Sequence, residues 1–316
     1  MKSLLIKLPN WMGDILFSLD VLHTLSCHFD RLALLVSSEL EELFRIFPVR
    51  GSEVIAYPGE HWPSLNRDTI LQIERFAPDA GLLLPNSIAS AIALRYAGIS
   101  HLIGYSSEHR GFLLHQSARV PSRRMHQTEY YRNLLRLFNI EPVPYPVAAS
   151  DMKNSAVLIH PGASKIERAW HLERFLKVAD LLKGIGMDVI FVSGAKVTLS
   201  GYPLVTAPSI TEFAGMLRTC SLFIGNDSGP LHLAQQCGVP VVGIYGPGSL
   251  ITTGPRPISR FRVVHHGFPC SPCRQRFFKD CNPSPAGKPY CIETISTQEI
   301  FQAATQLLDT KKGNPV

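Results

Sequence analysis

The sequence lacks an apolar stretch long enough to cross a membrane. Its longest run without a charged residue, 228–255, is interrupted by Pro230, Pro240 and Pro247, whereas a membrane span needs about 20 predominantly apolar residues. The short apolar run at the N-terminus is broken by Lys7 and has no small-residue cleavage site after it. We therefore expect a cytoplasmic protein whose first segment is a β-strand and not a signal peptide.

Several widespread catalytic and nucleotide-binding motifs are also missing. The sequence contains no GxxxxGK[ST] loop, no GxGxxG after a strand, no GxSxG elbow and no HExxH pair. These absences argue against the common P-loop, kinase, dehydrogenase and hydrolase classes. With 45% hydrophobic and 18% charged residues, the chain can build a real core, which excludes a disordered protein.

The cysteines are unevenly placed along the chain. The seven cysteines form an odd number in a long chain, which is not typical of a disulfide scaffold. Four of them cluster near the C-terminus as Cys270-x2-Cys273-x7-Cys281-x9-Cys291. A CxxC pair supplies two metal ligands from one turn, so a four-thiolate structural zinc site is one hypothesis. The second pair is not CxxC, and free thiols or a disulfide are the alternatives.

The positive net charge is concentrated in local clusters. Residues 1–150 are neutral, with 14 Lys+Arg against 14 Asp+Glu, so the net charge of +6 comes from the second half. Within 95–136 there are seven arginines and two glutamates, and 256–288 holds seven basic residues and one aspartate. Such clusters attract polyanions, although a solvated basic surface is an equal alternative.

Strands and helices alternate along both halves of the chain. Strands are predicted at 3–7, 32–36, 53–57, 80–84, 156–160, 188–192, 222–224 and 239–245. Helices are predicted at 15–29, 37–47, 88–96, 128–138, 172–182, 297–308 and from about 230 onward. This alternation is typical of α/β folds with parallel sheets covered on both faces. The proline-rich segment 141–154 is the best linker, which gives domains 1–148 and 149–316.

Three predicted strand-to-helix junctions carry unusual polar residues, and the first is Asn10-Trp11-Met12-Gly13-Asp14. Gly13 permits a tight turn, and Asp14 then stands at the start of a helix. An N-cap is the simpler interpretation of Asp14, because aspartate is a favoured capping residue. The functional alternative is a general base that takes a proton from a bound hydroxyl.

The second junction contains Gly162, Ser164 and Lys165, with Arg168 shortly after. Backbone amides, a hydroxyl and cations together suit a phosphate group, although an ordinary glycine turn with solvated cations would look the same.

The third junction contains Asp227, Ser228, Gly229 and His232, which follow an apolar strand. Pro230 is well placed in the first turn of a helix, where its missing N–H costs nothing. The amides of such a helix start would bind a diphosphate. Alternatively, Asp227 is a cap and His232 a hydrogen-bonded buried histidine.

Three sequence blocks together resemble the ADP-heptose:lipopolysaccharide heptosyltransferases of glycosyltransferase family 9. They are LIKLPNWMGDILFSLDVL, HPGASKIERAWHLERF and NDSGPLHLAQQCGVPVVGIYGP. The resemblance implies a GT-B fold, in which two Rossmann-like, doubly wound parallel-sheet domains face each other across a cleft. By the same resemblance, the N-terminal domain takes the acceptor and the C-terminal domain takes the nucleotide sugar.

The resemblance also implies roles for individual residues. Asp14 matches the catalytic base, and Asn10, Trp11 and Gly13 lie in the loop near the acceptor. The donor-binding set comprises Gly162, Ser164, Lys165, Arg168, Asp227, Ser228, Gly229 and His232. Transfer is expected to invert the anomeric carbon and to need no metal or other cofactor.

The expected partners are an ADP-heptose donor and a phosphorylated lipopolysaccharide-core acceptor of the Kdo-lipid A type. They imply transient contact with the inner face of the inner membrane.

Segment 193–203 is short and lacks an acidic residue for the adenosine ribose, so a relative with another nucleotide sugar or acceptor is an alternative. A non-enzymatic polyanion- or nucleic-acid-binding protein is a second alternative. It is disfavoured because basic and aromatic residues are not interleaved, so we expect no nucleic-acid partner.

Overall fold

The computed structural model describes residues 2–59, 65–147, 155–194, 199, 201–256, 260–270, 273 and 275–309. The chain divides into two compact units, Met1–Pro146 and Val147–Val316. The division falls inside the proline-rich segment 141–154. Among the described residues, no helix is both long and apolar enough to cross a membrane.

The first unit is built on a six-stranded sheet in the order β3-β2-β1-β4-β5-β6, and all of its strand pairs are parallel. The strands are β1 (Ser3–Lys7), β2 (Arg31–Ser37), β3 (Ser52–Tyr57), β4 (Ala80–Leu83), β5 (Leu102–Tyr105) and β6 (Gln116–Ala118). The helices are α1 (Met12–Ser26), α2 (Leu43–Ile46), α3 (Arg67–Phe76), α4 (Ile88–Tyr96) and α5 (Gln127–Arg132).

The second unit repeats this plan, with a parallel sheet in the order β12-β11-β10-β7-β8-β9. Its strands are β7 (Ala156–His160), β8 (Asp188–Ser193), β9 (Leu204–Thr206), β10 (Leu222–Asn226), β11 (Val241–Tyr245) and β12 (Phe261–His265). Its helices are α6 (Leu172–Gly184), α7 (Ile210–Thr219), α8 (Gly229–Gln236), α9 (Leu250–Thr253), α10 (Tyr290–Glu293) and α11 (Thr297–Asp309).

Both sheets have the Rossmann strand order, which confirms the predicted fold class. In this order the chain leaves two neighbouring central strands in opposite directions. Those strands are β1 and β4 in the first unit and β7 and β10 in the second. Ligands of open parallel sheets bind outside the carboxyl ends of the strands at such a switch point. The topology therefore selects one edge of each sheet as the place to look for a site.

Apolar side chains fill both faces of the central strands. Every residue of β1, β4, β7, β10 and β11 is buried, as expected for parallel strands covered by helices. In the second unit, α6 and α11 pack Phe175, Val178, Ile300 and Ala304 into one core cluster. The rigid strands thus hold the loops at their carboxyl ends in place.

The helix predicted at 15–29 begins and ends three residues earlier, at Met12–Ser26, and two further predicted helices differ from the observed ones in type. The segment predicted as a helix at 37–47 forms a 3₁₀ helix over Ser38–Leu40 and the short α2. In the segment predicted as a helix at 128–138, the α-helix ends at Arg132 and a 3₁₀ helix follows over Asn133–Phe138. Over one or two turns an apolar pattern does not distinguish 3.0 from 3.6 residues per turn, which explains both differences.

A fully buried lysine closes the carboxyl end of β1. The Lys7 side chain is 0% exposed, and its Nζ donates to the Leu8 carbonyl at 2.5 Å and to Asn10 Oδ1 at 3.0 Å. It also lies 3.0 Å from the Tyr57 hydroxyl and 4.8 Å from the centroid of that ring. Lys7 therefore ties the loop after β1 to β3. Burial lowers the pKa of Lys7 from its ordinary 10.5 to about 7.

This lowered pKa predicts a stability that depends on pH. The folded protein releases the Lys7 proton near pH 7, whereas the unfolded chain keeps it up to about pH 10.5. The unfolded state binds more protons between these values, so the free energy of unfolding should increase with pH, by at most about 1.4 kcal/mol per unit. Urea unfolding between pH 7 and 9.5 should show this slope in the wild type but not in Lys7→Met. The exposed-site control Lys2→Met should keep the slope, and equal slopes in all three proteins would refute the prediction.

Candidate functional site

In the first unit, Asp14 lies in the first turn of α1, at the carboxyl edge of β1. The helix begins at Met12, and its N-cap is Trp11, which makes no side-chain capping hydrogen bond. Asp14 is therefore the third residue of the helix, and the simpler N-cap interpretation is wrong. A carboxylate in this turn is still favoured by the helix dipole. Asp14 is half-buried, whereas Asn10 and Trp11 are exposed.

In the second unit, the buried amide of Asn226 joins the loops that follow β7 and β10. Its Nδ2 donates to the carbonyls of Pro161 at 2.8 Å and Gly162 at 3.2 Å. Its Oδ1 accepts from the backbone N–H of Trp170 at 3.0 Å. Asn226 is 0% exposed, so these bonds form in a low-dielectric interior where an unpaired amide would be costly. One side chain therefore fixes both ends of the loop predicted to bind phosphate.

Asp227, the next residue, is the centre of a buried charged cluster. Arg168 Nη2 lies 2.6 Å from Asp227 Oδ2 and 2.7 Å from the Asp227 carbonyl oxygen. His232 Nε2 and Thr253 Oγ1 lie 3.5 Å and 3.4 Å from Oδ1. Burial alone would raise the pKa of Asp227, but the His232 hydrogen bond and the Arg168 charge outweigh it and lower that pKa. Asp227 therefore stays ionised and holds Arg168 in place.

Glycine is required where the backbone approaches this cluster. A Cβ atom on Gly248 would lie 2.1 Å from Asp227 Oδ2, and one on Gly162 would lie 2.8 Å from the His160 ring. Any larger residue at either position would displace the carboxylate or the histidine. Both loops thus depend on glycine for close packing and not for an unusual φ.

The remaining predicted donor-binding residues lie around this cluster. Ser164 and Lys165 are exposed in the loop after β7, and Gly229 is half-buried. Ser228 is the N-cap of α8 and makes no side-chain capping bond, because its hydroxyl donates to the Asn226 carbonyl instead. The start of α8 therefore carries no side-chain cap, and such a helix start is a suitable place for an anion. A half-buried arginine, an exposed lysine and this helix start together suit a phosphate-bearing ligand.

The segment after β12 is fastened to the loop after β7. Lys288 Nζ donates to the Ile166 carbonyl at 2.5 Å, and Lys165 Nζ lies 5.5 Å from the Phe277 ring centroid. Glu293 binds both His171, at 2.6 Å, and Arg174. These contacts of Phe277, Lys288 and Glu293 therefore support one side of the predicted phosphate site.

All four clustered cysteines line one cavity of about 490 Å³. Burial first, and then repulsion from negative charge on the other three cysteines, raises the pKa of Cys291 to about 12. Within the described part of the chain, however, no three His, Cys, Asp or Glu side chains are arranged to hold a metal ion. The four-thiolate zinc site therefore stays a prediction from the sequence.

Sequence reasoning missed three residues that organise these sites. Asn226 stands directly before Asp227 at the end of an apolar strand, and that position is a signal that could have identified it. Lys7 likewise stands at the end of an apolar strand, β1 of the first unit. Thr253 contacts Asp227 from α9, and no local pattern indicates that contact.

The hydrogen bonds of Asn226 predict a large effect from a change of one atom. Asn226→Asp keeps the acceptor for Trp170 but replaces the Nδ2 donor with an oxygen that faces two carbonyls. Leaving these buried groups unpaired should cost about 1–3 kcal/mol of unfolding free energy. Urea unfolding measures this loss, and Asn282→Asp, at an exposed position of the same unit, should leave stability unchanged. An Asn226→Asp protein as stable as the wild type would contradict the assigned role.

Comparisons with known proteins identify the family of this chain. The model of glycosyltransferase family 9 (heptosyltransferase) matches residues 70–280. Lipooligosaccharide heptosyltransferase 2 of Campylobacter jejuni is 24% identical over 97% of this chain and 98% of its own length.

Solved structures are similar over almost the whole chain. The ADP-heptose LPS heptosyltransferase II of Escherichia coli superposes with a TM-score of 0.78 at 19% identity, covering 99% of this chain and 100% of its own. E. coli heptosyltransferase WaaC with ADP gives a TM-score of 0.71 at 13% identity, covering 96% and 99%. These likenesses establish the GT-B fold. Because the family model matches well over half of this chain, the chain belongs to glycosyltransferase family 9, the heptosyltransferases, and is a glycosyltransferase.

Proposed function

We propose that the protein transfers a heptose from ADP-heptose to the inner core of lipopolysaccharide, with inversion at the anomeric carbon and without a catalytic metal. The observation that carries the proposal is the Arg168–Asp227 cluster beside the start of α8, at the switch point of the second sheet. A relative with the same fold is named as a complex with ADP. Membership of an enzyme family also argues against the alternative of a non-enzymatic polyanion-binding protein.

The second unit would bind the donor diphosphate. Asp227 engages only Nη2 of Arg168 in the described contacts, whereas the buried Nε has no hydrogen-bond partner among the described residues. A guanidinium has five N–H donors, so Arg168 keeps donors for a phosphate oxygen. Ser164, Lys165, Ser228, Gly229 and His232 would complete the donor site, with Asp227 acting through Arg168.

Asp14 would act as the general base. An acceptor hydroxyl is a weak nucleophile, so a carboxylate that takes its proton during attack accelerates transfer. The bond from the anomeric carbon to the donor phosphate breaks as the new glycosidic bond forms on the opposite face, and ADP leaves with additional negative charge. Arg168 and the amides at the start of α8 would stabilise that charge more in the transition state than in the ground state.

The first unit would bind a phosphorylated acceptor. Of the seven arginines in 95–136, Arg110 is buried and Arg132 pairs with Asp20. The other five are exposed: Arg95, Arg119, Arg123, Arg124 and Arg136. Exposed arginines attract an anionic lipid-linked acceptor, which supports transient contact with the inner face of the inner membrane. Asn10, Trp11 and Gly13 would lie beside the acceptor hydroxyl.

The identity of the base is tested by Asp14→Asn. The amide cannot accept the proton, so turnover should fall by about 10²–10⁴-fold, while ADP affinity stays within a few-fold. Turnover is followed by ADP release from an ADP-heptose donor in the presence of a deacylated core acceptor. The control is Asp30→Asn, at an exposed aspartate beyond the end of α1. Retained turnover in Asp14→Asn would defeat the assignment.

Nucleotide preference is tested by calorimetric titration with ADP, UDP and GDP. We expect ADP to bind most tightly and its binding to be lost in Arg168→Ala. Arg276→Ala, which removes an exposed arginine paired with Asp280, should bind ADP like the wild type. Tighter binding of UDP or GDP would be consistent with a glycosyltransferase but would reject ADP-heptose as its donor. Part of the segment expected to meet the adenosine ribose, 195–198 and 200, lies outside the described residues. The identity of the nucleotide base therefore depends on this titration.

A further inference from the structure

Two asparagines stand at the switch point of the first sheet, one after each of its diverging strands. Lys7 and Leu83 are the last paired residues of β1 and β4, and Asn10 and Asn86 follow them three residues later. Both asparagines are exposed. Because the carboxyl ends of parallel strands lie at one edge of a sheet, Asn10 and Asn86 border the same crevice as Asp14.

The side chain of Asn10 is held through its oxygen. Lys7 Nζ and the Tyr57 hydroxyl each donate to Asn10 Oδ1 at 3.0 Å, and both donor side chains are buried. An amide oxygen has two lone pairs, and these two donors occupy both. Burial, assisted by the charge of Glu39, raises the pKa of Tyr57 to about 12, so the phenol stays protonated.

Asn86 is held in the same way. The Tyr130 hydroxyl donates to Asn86 Oδ1 at 2.9 Å, and Ser107 Oγ lies 3.3 Å from the same oxygen and 2.6 Å from the Asn86 carbonyl oxygen. Tyr130 is itself fixed by Tyr105: the two ring centroids are 4.4 Å apart, and the Tyr105 hydroxyl donates to the Tyr130 carbonyl at 2.6 Å. Burial raises the pKa of Tyr130, so this phenol also remains a donor.

The amide nitrogens of both asparagines are left to bind a ligand. Among the described residues, neither Asn10 Nδ2 nor Asn86 Nδ2 has a hydrogen-bond partner. The oxygen of each planar amide faces the donors behind it, so its nitrogen is directed away from them. Each nitrogen carries two N–H groups, and the crevice therefore presents a set of uncharged donors in fixed directions. Neighbouring hydroxyl oxygens of a sugar are matching hydrogen-bond acceptors.

We propose that the side-chain amides of Asn10 and Asn86 bind hydroxyl oxygens of the acceptor sugar and so orient it for attack. The side chains that donate to the two amide oxygens are positioning residues, since they act only through the asparagines. The inference rests on the proposed transfer to a lipopolysaccharide-core acceptor and adds the uncharged part of that acceptor's site. Phosphates of the same ligand meet the exposed arginines of 95–136.

Replacing each asparagine by aspartate and by alanine tests the proposal. Aspartate keeps the oxygen that accepts from the donors behind it and replaces only the N–H group, whereas alanine removes the N–H group without adding charge. Binding of a deacylated core acceptor, measured by calorimetry, should weaken about three- to tenfold in Asn86→Asp and Asn86→Ala, the value of one lost hydrogen bond. Asn10→Asp and Asn10→Ala should show the same loss, and every variant should bind ADP like the wild type.

Asn66→Asp is the matched control. Asn66 is an exposed asparagine of the same unit, and its Oδ1 accepts from the Thr69 backbone N–H at 2.9 Å. The variant therefore adds the same charge and keeps its own hydrogen bond, and it should bind the core acceptor like the wild type. Wild-type affinity in the two alanine variants would overturn the proposal, because any loss in the aspartate variants would then come from repulsion of a phosphorylated ligand.

Tyr57→Phe tests the positioning role, because it removes one donor to Asn10 and keeps the buried ring. We expect it to weaken acceptor binding in the wild type but to have no further effect in Asn10→Ala, since a path through Asn10 makes the two changes non-additive. Equal losses in both backgrounds would reject the positioning role. A wild type that binds no core acceptor would reject the proposed function instead, whereas wild-type binding with unaffected alanine variants would reject the asparagines alone.

Discussion

The candidate sites depend on the point at which two neighbouring parallel strands send the chain in opposite directions. This happens between β1 and β4 in one unit and between β7 and β10 in the other. Connections that leave in opposite directions open a crevice at the carboxyl ends of these strands. Asp14 follows β1, Arg168 follows β7 and Asp227 follows β10. The strand order therefore places these residues at the crevices.

Buried polar side chains then fix the loops at each crevice. Lys7 serves this purpose after β1, and Asn226 serves it between the ends of β7 and β10. A polar group without partners is expensive inside a protein, so each of them permits only the loop conformation that satisfies it. Asn226 fixes its loops without carrying a charge. Lys7 has a lowered pKa, so the free energy of unfolding depends on pH through this lysine of the first unit.

Most central strands and the three polar junctions could be predicted from the sequence, because their signals are local. Apolar runs such as 3–7 mark buried strands, and polar residues directly after them mark the ends. The edge strand β6 reads Gln116-Ser117-Ala118 and has no apolar signal, so its pairing with β5 could not be predicted. The contacts of Arg132 with Asp20 and of Thr253 with Asp227 join distant segments. Tertiary packing alone creates them, and the spacing of residues in one sequence does not contain them.

The two aspartates of the proposed mechanism differ in burial, since Asp227 is 4% exposed and Asp14 is half-buried, and this difference suits their different roles. Asp227 is paired with a guanidinium and a histidine, which lower its pKa and make it a poor proton acceptor. It can hold Arg168 permanently without competing for protons. Asp14 is half-buried in the first turn of α1, so a bound hydroxyl can come within hydrogen-bond reach of it, as a general base requires. A carboxylate that exchanges a proton with a substrate must be accessible, whereas a carboxylate that only holds an arginine works best when it is buried.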